Sequence, residues 1–212
     1  MIKIIIADDH SIVRQGMKLI LSETADMKIC DEAADGYELI EKVLNNQYDI
    51  VILDITMPGP GVLDIIKRIK REKPGIRVLV LSMHPEEQYA VRVLKAGAAG
   101  YLSKETAPSD LVKAVRQVSL GKKYISPHFF ESMADVLLSD NDKPPHTALS
   151  DREFQVLCML AQGKASRDIA RDLCLSEKTI STYRSRILQK MNLTTNAELI
   201  HYAIRNSLVP SD

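Results

Sequence analysis

Side chains able to do chemistry follow several short apolar runs in the first half of the chain. They are three carboxylates, one hydroxyl and one ammonium: Asp8, Asp9, Asp54, Ser82 and Lys104. Three carboxylates at close quarters repel one another unless a hard cation lies among them, and oxygen ligands suit Mg²⁺. Magnesium keeps some of its waters and binds through few carboxylates together with phosphate oxygens. If these side chains meet, they predict a magnesium site with room for a phosphoryl group.

The elements around these residues predict that they do meet. Residues 1–120 alternate short apolar runs with segments of helical period, which is typical of an α/β fold with a doubly wound parallel sheet. In such a sheet the carboxyl ends of neighbouring strands open into one crevice. The five predicted strands are Lys3–Ala7, Met27–Ala33, Ile50–Leu53, Arg77–Ser82 and Gly100–Leu102.

The stretch VILDITMPGP, residues 51–60, places one acid at the end of a predicted buried strand. A carboxylate there could act as a nucleophile toward a phosphoryl donor, with a metal ion and Lys104 shielding its oxygens. Pro58 and Gly59 predict a sharp turn that keeps Asp54 at the edge of the sheet. Two alternatives stay open: a stabilising Asp–Lys ion pair, and an aspartate-nucleophile phosphohydrolase. The second alternative normally needs another Asp two residues on, where this chain has Thr56.

Composition favours a cytoplasmic, two-domain protein without a membrane segment. The 212 residues are 45% hydrophobic and carry zero formal net charge. No apolar run approaches the roughly 20 residues of a membrane span. Cys30, Cys158 and Cys174 are odd in number and far apart, which indicates thiols in a reducing compartment.

The middle of the chain has a different composition. Residues 127–146 hold four acidic and one basic side chain. The segment SPHFFESMADVLL predicts a helix, and the acidic, Pro-Pro sequence after it is typical of a linker. We therefore expect a domain at 1–120, a linker with a helix at 121–146, and a second domain at 147–212.

The last segment predicts a small all-α domain of four helices. Ser150 and Thr195 each precede a Glu by three residues, the pattern of a capping box. Ser166 and Ser176 are expected to cap the second and third helices. This segment is also mildly basic, with nine basic and seven acidic side chains.

The third helix has one face suited to a DNA major groove. Ile180, Tyr183, Ile187 and Met191 form an apolar stripe, and the opposite face is small and polar. Hydroxyls on that face could reach base edges while flanking cations hold phosphates. The alternative is an ordinary solvated helix face. The residues expected to contact DNA are Lys178, Thr179, Ser181, Thr182, Arg184, Ser185, Arg186 and Lys190.

The first 120 residues resemble a response-regulator receiver domain, with its flavodoxin-like fold. The motifs that carry the resemblance are IIIADDH, VILDITMPGPG, VLVLSMH and GYLSKE. The resemblance implies that Asp54 is the phosphoacceptor and that Mg²⁺ is held by Asp8, Asp9, Asp54 and the backbone carbonyl of Thr56. It also implies roles for Ser82 and Tyr101 in switching and for Lys104 in binding the phosphoryl group. One departure is Val62, where the family usually has Gly.

Residues 147–212 resemble the LuxR/FixJ-type helix-turn-helix, and the whole chain is similar to a NarL/FixJ-type response regulator. The motif runs from LSDREFQVL to SRILQKMNL, with Tyr183 where many members have His. The resemblance implies a non-enzymatic transcriptional regulator phosphorylated by a histidine kinase. Its other expected partners are double-stranded DNA, the transcription machinery and a second copy of the chain on DNA. The alternative is a receiver that regulates another protein by direct contact.

Overall fold

A computed structural model describes residues 1–83, 86–105, 108–126, 144–206 and 208–209. Contacts divide the chain into two compact units, Met1–Met133 and Ala134–Asp212. The predicted linker helix in SPHFFESMADVLL lies almost wholly outside the described residues. No helix in the described ranges is long and apolar enough to cross a membrane.

The first unit is built on a five-stranded parallel sheet, which confirms the predicted fold. Its strand order is β2-β1-β3-β4-β5. The central strands are buried on both faces, as expected for a parallel sheet covered by helices. The strands are β1 (Ile2–Ala7), β2 (Met27–Ala33), β3 (Ile50–Asp54), β4 (Arg77–Ser82) and β5 (Gly100–Ser103).

Five helices connect and follow these strands. Each carries apolar residues at helical spacing, and burial of that face fixes the helix against the sheet. Asp35 caps α2 by accepting hydrogen bonds from the backbone N–H groups of Tyr37 and Glu38. The helices are α1 (Ser11–Ser22), α2 (Gly36–Asn45), α3 (Val62–Glu72), α4 (Glu86–Ala96) and α5 (Pro108–Ser119).

Strand order brings the predicted site residues together. β1 pairs with β3, with Ala7 opposite Leu53, so the next residue on each strand, Asp8 and Asp54, faces the same crevice. β1 is also where the chain changes direction across the sheet, the position at which open α/β sheets form their binding crevice. The topology alone therefore places two of the three acids side by side.

The turn after β3 packs against the start of α2. Gly59 has a φ of 110°, a backbone conformation that L side chains rarely adopt. The N–H of Gly36 donates to the carbonyl of Pro58 at 2.9 Å, which fastens the turn. Gly61 is the N-cap of α3, and Val62, at the position where the family usually has Gly, is its buried first residue.

Residues beyond α5 still contact the sheet. Tyr124 forms an isolated bridge with Gly100, and its backbone N–H donates to Ala99 at 2.9 Å. Part of the predicted linker segment is thus held against the edge of β5.

The second unit contains four α-helices within residues 144–206, preceded by a 3₁₀ turn at Pro145–Ala148. Capping boxes form at Ser150 with Glu153 and at Thr195 with Glu198, as predicted. Ser176 caps the third helix, also as predicted. The prediction for Ser166 is wrong: Ala165 is the N-cap, and Ser166 is the first helical residue. The helices are α6 (Asp151–Ala161), α7 (Ser166–Asp172), α8 (Glu177–Met191) and α9 (Asn196–Arg205).

We expect Gly59→Ala to lower the free energy of unfolding of the first unit by about 1–3 kcal/mol, because its positive φ strains an L residue. A Cβ there would also lie 3.2 Å from the backbone nitrogen of Gly36. The control is Gly16→Ala, in the exposed middle of α1 with no atom near the new Cβ. It should stabilise by about 0.5–1 kcal/mol. Urea denaturation measures both, and a loss of the same size in both variants would contradict the assigned turn.

Candidate functional site

The ammonium of Lys104 lies between two carboxylates at the carboxyl edge of the sheet. Its Nζ is 2.6 Å from Oδ2 of Asp8 and 3.0 Å from Oδ2 of Asp54. The lysine follows β5, and its backbone N–H donates to the carbonyl of Ser82 at 2.7 Å. All three charged side chains are almost fully buried. Three of the predicted site residues thus form one tightly packed group.

One oxygen of Asp54 has no hydrogen-bond partner among the described residues. Oδ2 accepts from the hydroxyl of Thr56 at 2.8 Å and contacts Lys104, whereas Oδ1 is buried without a donor in the described part of the chain. Oδ2 of Asp8 also lacks a hydrogen bond of good geometry, but the short distance to Lys104 supplies its compensating charge. Oδ1 of Asp54 is therefore the uncompensated atom, and a buried oxygen of this kind is suited to a cation.

Burial and charge set the ionisation of this group. Burial raises the pKa of Asp54 above its ordinary value, and Asp8 adds to that effect while Lys104 opposes it. For Lys104, burial lowers the pKa, but the two aspartates outweigh burial and the net shift is upward. Lys104 is thus held as an ammonium by two acids that it only partly neutralises.

The same edge holds a group of side chains that could bind a metal ion. Asp8, Asp9, His10 and Asp54 each offer a ligand atom, and these atoms lie within 4.8 Å of one another. Carboxylate oxygens are the ligands that Mg²⁺ takes in proteins. The uncompensated Oδ1 of Asp54 gives the cation a position that hydrogen bonds leave open. The residues present therefore fit a divalent cation.

An arginine on α1 holds the backbone of this site in place by a hydrogen bond to Asp8. The sequence analysis did not identify it. Nη1 of Arg14 donates to the backbone carbonyl of Asp8 at 2.5 Å, and its Nε donates to Glu32 at 3.0 Å. Lys18 also contacts Glu32. The cationic partners hold the pKa of Glu32 below its ordinary value despite the opposing effect of burial, with the hydrogen bond from Lys18 the main cause. Glu32 lies 18 residues beyond Arg14, so no local spacing indicated this contact.

The remaining predicted residues of the first unit lie along the same edge. Ser82 ends β4 and Tyr101 lies on β5, and both are fully buried. Thr56 is exposed, and its hydroxyl, which the sequence did not single out, is the group that reaches Asp54.

In the second unit, α8 buries one face and exposes the other, as its pattern predicted. Ile180, Ile187 and Met191 are buried. Among the residues expected to contact DNA, Thr179 and Arg184 are half-buried. The others are exposed: Lys178, Ser181, Thr182, Ser185, Arg186 and Lys190.

Hydrogen bonds define how that face is presented. The hydroxyls of Thr182 and Ser185 donate to the carbonyls one turn earlier, at 2.9 and 3.1 Å. Each hydroxyl then offers lone pairs outward, which suits the amino groups of bases. Nε of Arg184 donates to Asn196 at 2.5 Å.

Lys190 lies at the edge of this face but has an internal partner. Its Nζ is 2.6 Å from Oε2 of Glu153, a buried acid. Burial raises the pKa of Glu153, but Lys190 and the Ser150 hydrogen bonds outweigh it, so the pKa is lowered. The pair joins α6 to α8, and Lys190 would have to share its charge between Glu153 and a phosphate.

Two family models match the chain, one for each unit. Residues 4–116 match "Response regulator receiver domain". Residues 147–203 match "Bacterial regulatory proteins, luxR family". The chain belongs to the response regulators. This one carries a receiver domain followed by a LuxR-type DNA-binding domain.

Curated relatives resemble this response regulator over nearly its whole length. The response regulator UvrY of Escherichia coli K12 is 36% identical over 98% of this chain and 96% of its own. The oxygen regulatory protein NreC of Staphylococcus carnosus is 37% identical over 98% of this chain and 99% of its own. These relatives are regulators, which confirms the expectation of a regulator and not a phosphohydrolase.

A solved structure supports the same assignment. RcsB from Salmonella enterica serovar Typhimurium, bound to promoter rprA in the presence of the phosphomimetic BeF₃⁻, has a TM-score of 0.69 and 28% identity to this response regulator. The match covers 95% of this chain and 98% of that one.

We expect Lys104 and Asp54 to be strongly coupled in stability. Lys104→Met should lower the free energy of unfolding by about 3–5 kcal/mol, because it leaves two buried acids facing each other. Asp54→Asn should recover part of that loss, giving a coupling energy of about 1–3 kcal/mol in a double-mutant cycle. Urea denaturation in EDTA provides the four free energies of unfolding.

The control cycle uses Lys113→Met and Asp110→Asn, an exposed pair on α5 whose charged atoms are 2.8 Å apart, compared with 3.0 Å for Lys104 and Asp54. Its coupling should be too small to measure, because exposed pairs are screened by water. If the changes in the free energy of unfolding caused by Lys104→Met and Asp54→Asn are additive, the contact between the two side chains makes no net contribution to stability.

Proposed function

We propose that the chain is a phosphorylation-dependent, DNA-binding transcriptional regulator that accepts a phosphoryl group on Asp54 from a histidine kinase. The observation that supports it most strongly is the buried carboxylate of Asp54, with Oδ2 next to Lys104 and Oδ1 without a partner in the described part of the chain. A carboxylate that attacks phosphorus needs positive charge beside it, and Lys104, together with a cation held by the neighbouring acids, supplies that charge.

The acids around Asp54 then hold the required cation. Asp8, Asp9, Asp54 and the backbone carbonyl of Thr56 would hold Mg²⁺, which would supply positive charge to offset the charge of the phosphoryl oxygens. A carboxylate oxygen of Asp54 forms the new P–O bond while the P–N bond of the donor phosphohistidine breaks. Lys104 exchanges part of its contact with Asp54 for a contact with the phosphoryl group.

Phosphorylation changes the positions of Ser82 and Tyr101. The hydroxyl of Ser82 moves to hydrogen-bond the phosphoryl group, and Tyr101 repacks on β5 beside it. The domain limits that go with this function are a receiver at 1–120, a linker at 121–146 and a DNA-binding domain at 147–212. The chain acts in the cytoplasm, where the kinase and the DNA are both accessible.

The exposed face of α8 reads the operator. Thr182 and Ser185 contact base edges, and Thr179 and Ser181 lie beside them. The cations Lys178, Arg184, Arg186 and Lys190 hold phosphates. The DNA-bound RcsB structure supports this use of the domain. Two copies of the chain bind a two-fold operator and engage the transcription machinery.

Acetyl phosphate with Mg²⁺ should add one phosphoryl group to the wild-type chain and none to Asp54→Asn. The reason is that Asp54 is buried next to Lys104 and, unlike Asp8, has an oxygen with neither a hydrogen-bond donor nor an ammonium beside it among the described residues. Intact-mass spectrometry measures the addition. Asp64→Asn, at an exposed acid in the first turn of α3, is the matched control and should be phosphorylated like wild type. Undiminished phosphorylation of Asp54→Asn would overturn the proposed acceptor.

Lys178 and Thr182 should affect DNA binding in different ways. Lys178→Ala should weaken all duplexes alike and reduce the salt slope by about one unit, because it removes one phosphate contact. Thr182→Val keeps the shape but removes the acceptor oxygen, so it should change the ranking of operator variants. Fluorescence anisotropy across operator variants and salt concentrations separates the two effects. An unchanged ranking for Thr182→Val would remove Thr182 from base recognition.

A further inference from the structure

We propose that His10 turns the acidic edge of the receiver into a binding site for a first-row transition-metal cation, with Ni²⁺ as the representative. The site uses the imidazole of His10 together with Asp8 and Asp9. It shares its carboxylates with the Mg²⁺ site of the proposed function and rests on that site. The imidazole would determine which cation this edge of the sheet prefers.

The distances around His10 fit a shared metal. Nδ1 of His10 is 2.8 Å from Oδ1 of Asp9 and 3.2 Å from Oδ1 of Asp8. Two neighbouring ligands about 2.1 Å from an octahedral cation stand about 3.0 Å apart. The imidazole nitrogen therefore already lies at the separations from two carboxylate oxygens that a shared cation would impose. A hydrogen bond has the same length, so a binding experiment must distinguish the two.

The imidazole takes no part in capping the helix that follows it. His10 is the N-cap of α1, but its side chain makes no capping hydrogen bond. Instead, its backbone N–H donates to Oδ1 of Asp8 at 2.8 Å, which fixes the residue beside the acids. The side chain is 62% exposed, so a hydrated ion can reach it.

Lys104 and His10 contact different oxygens of the acids, so the ammonium does not block the oxygen next to His10. Lys104 occupies Oδ2 of Asp8 and Oδ2 of Asp54, whereas His10 contacts Oδ1 of Asp8. The buried Oδ1 of Asp54 has no donor in the described ranges, and a carboxylate oxygen of Asp54 lies within 4.8 Å of ligand atoms of Asp8, Asp9 and His10. This uncompensated oxygen points to a bound cation independently of the distances at His10.

Ligand chemistry then determines the preference. Mg²⁺ is a hard cation that takes oxygen ligands and keeps several waters. Imidazole nitrogen binds first-row transition metals more strongly, with affinity rising from Mn²⁺ through Ni²⁺. A nitrogen ligand beside two carboxylates should therefore favour Ni²⁺ over Mg²⁺. Because both ions use Asp8 and Asp9, the transition metal would displace Mg²⁺ from the receiver.

The test is isothermal titration calorimetry of the full chain with NiCl₂ and with MgCl₂, for wild type and His10→Gln. Loss of an outer-shell partner alone costs roughly 10- to 100-fold in metal affinity. Loss of a direct ligand should thus lower the ratio of Ni²⁺ to Mg²⁺ affinity by about tenfold or more. Wild type should also show competition, with excess Mg²⁺ weakening the apparent Ni²⁺ affinity.

Two control variants exclude adventitious binding. His201→Gln removes an exposed histidine on α9, and Cys30→Ser removes an exposed thiol; neither should change the ratio. An equal Ni²⁺ to Mg²⁺ ratio in wild type and His10→Gln would overturn the inference and leave the Mg²⁺ site standing. Absence of binding of both ions to wild type would instead refute the metal site of the proposed function.

Discussion

The ammonium of Lys104, held between Asp8 and Asp54, is the interaction on which the receiver site depends. It joins residues from three places in the chain: the end of β1, the end of β3 and the loop after β5. Two buried carboxylates this close would repel each other strongly without it. Strand order brings the acids together, and the lysine makes their burial tolerable.

The positive charge of Lys104 does not balance the negative charge of the acids around it. Asp8, Asp9 and Asp54 face one ammonium, and one buried oxygen of Asp54 has no donor among the described residues. The group therefore fits an added divalent cation. A change of charge here alters what Lys104 contacts, and Lys104 is bonded through its backbone to the end of β4 at Ser82. These contacts link Asp54 through Lys104 to the end of β4.

The sequence predicted the strands of the first unit and the convergence of Asp8, Asp54 and Lys104, because both follow from local patterns at the strand ends. Buried strands, strand-end acids and capping boxes are visible within a few residues, and the structure confirms the capping boxes at Ser150 and Thr195. Long-range partners were missed. Arg14 meets Glu32, and Glu153 meets Lys190, because packing and not spacing decides those contacts. The cap at Ser166 was assigned one residue late, since a Ser inside the first turn looks the same as a cap in sequence.

The most direct test of the account is the coupling between Asp54 and DNA. Fluorescence anisotropy of one operator duplex at one salt concentration should compare phosphorylated and unphosphorylated wild type with Asp54→Asn treated in the same way. Coupling between sites typically amounts to about 1–3 kcal/mol, a change of about 5- to 150-fold in Kd. We expect a change in this range for wild type and none for Asp54→Asn. Equal Kd values for the two forms of wild type would contradict the account.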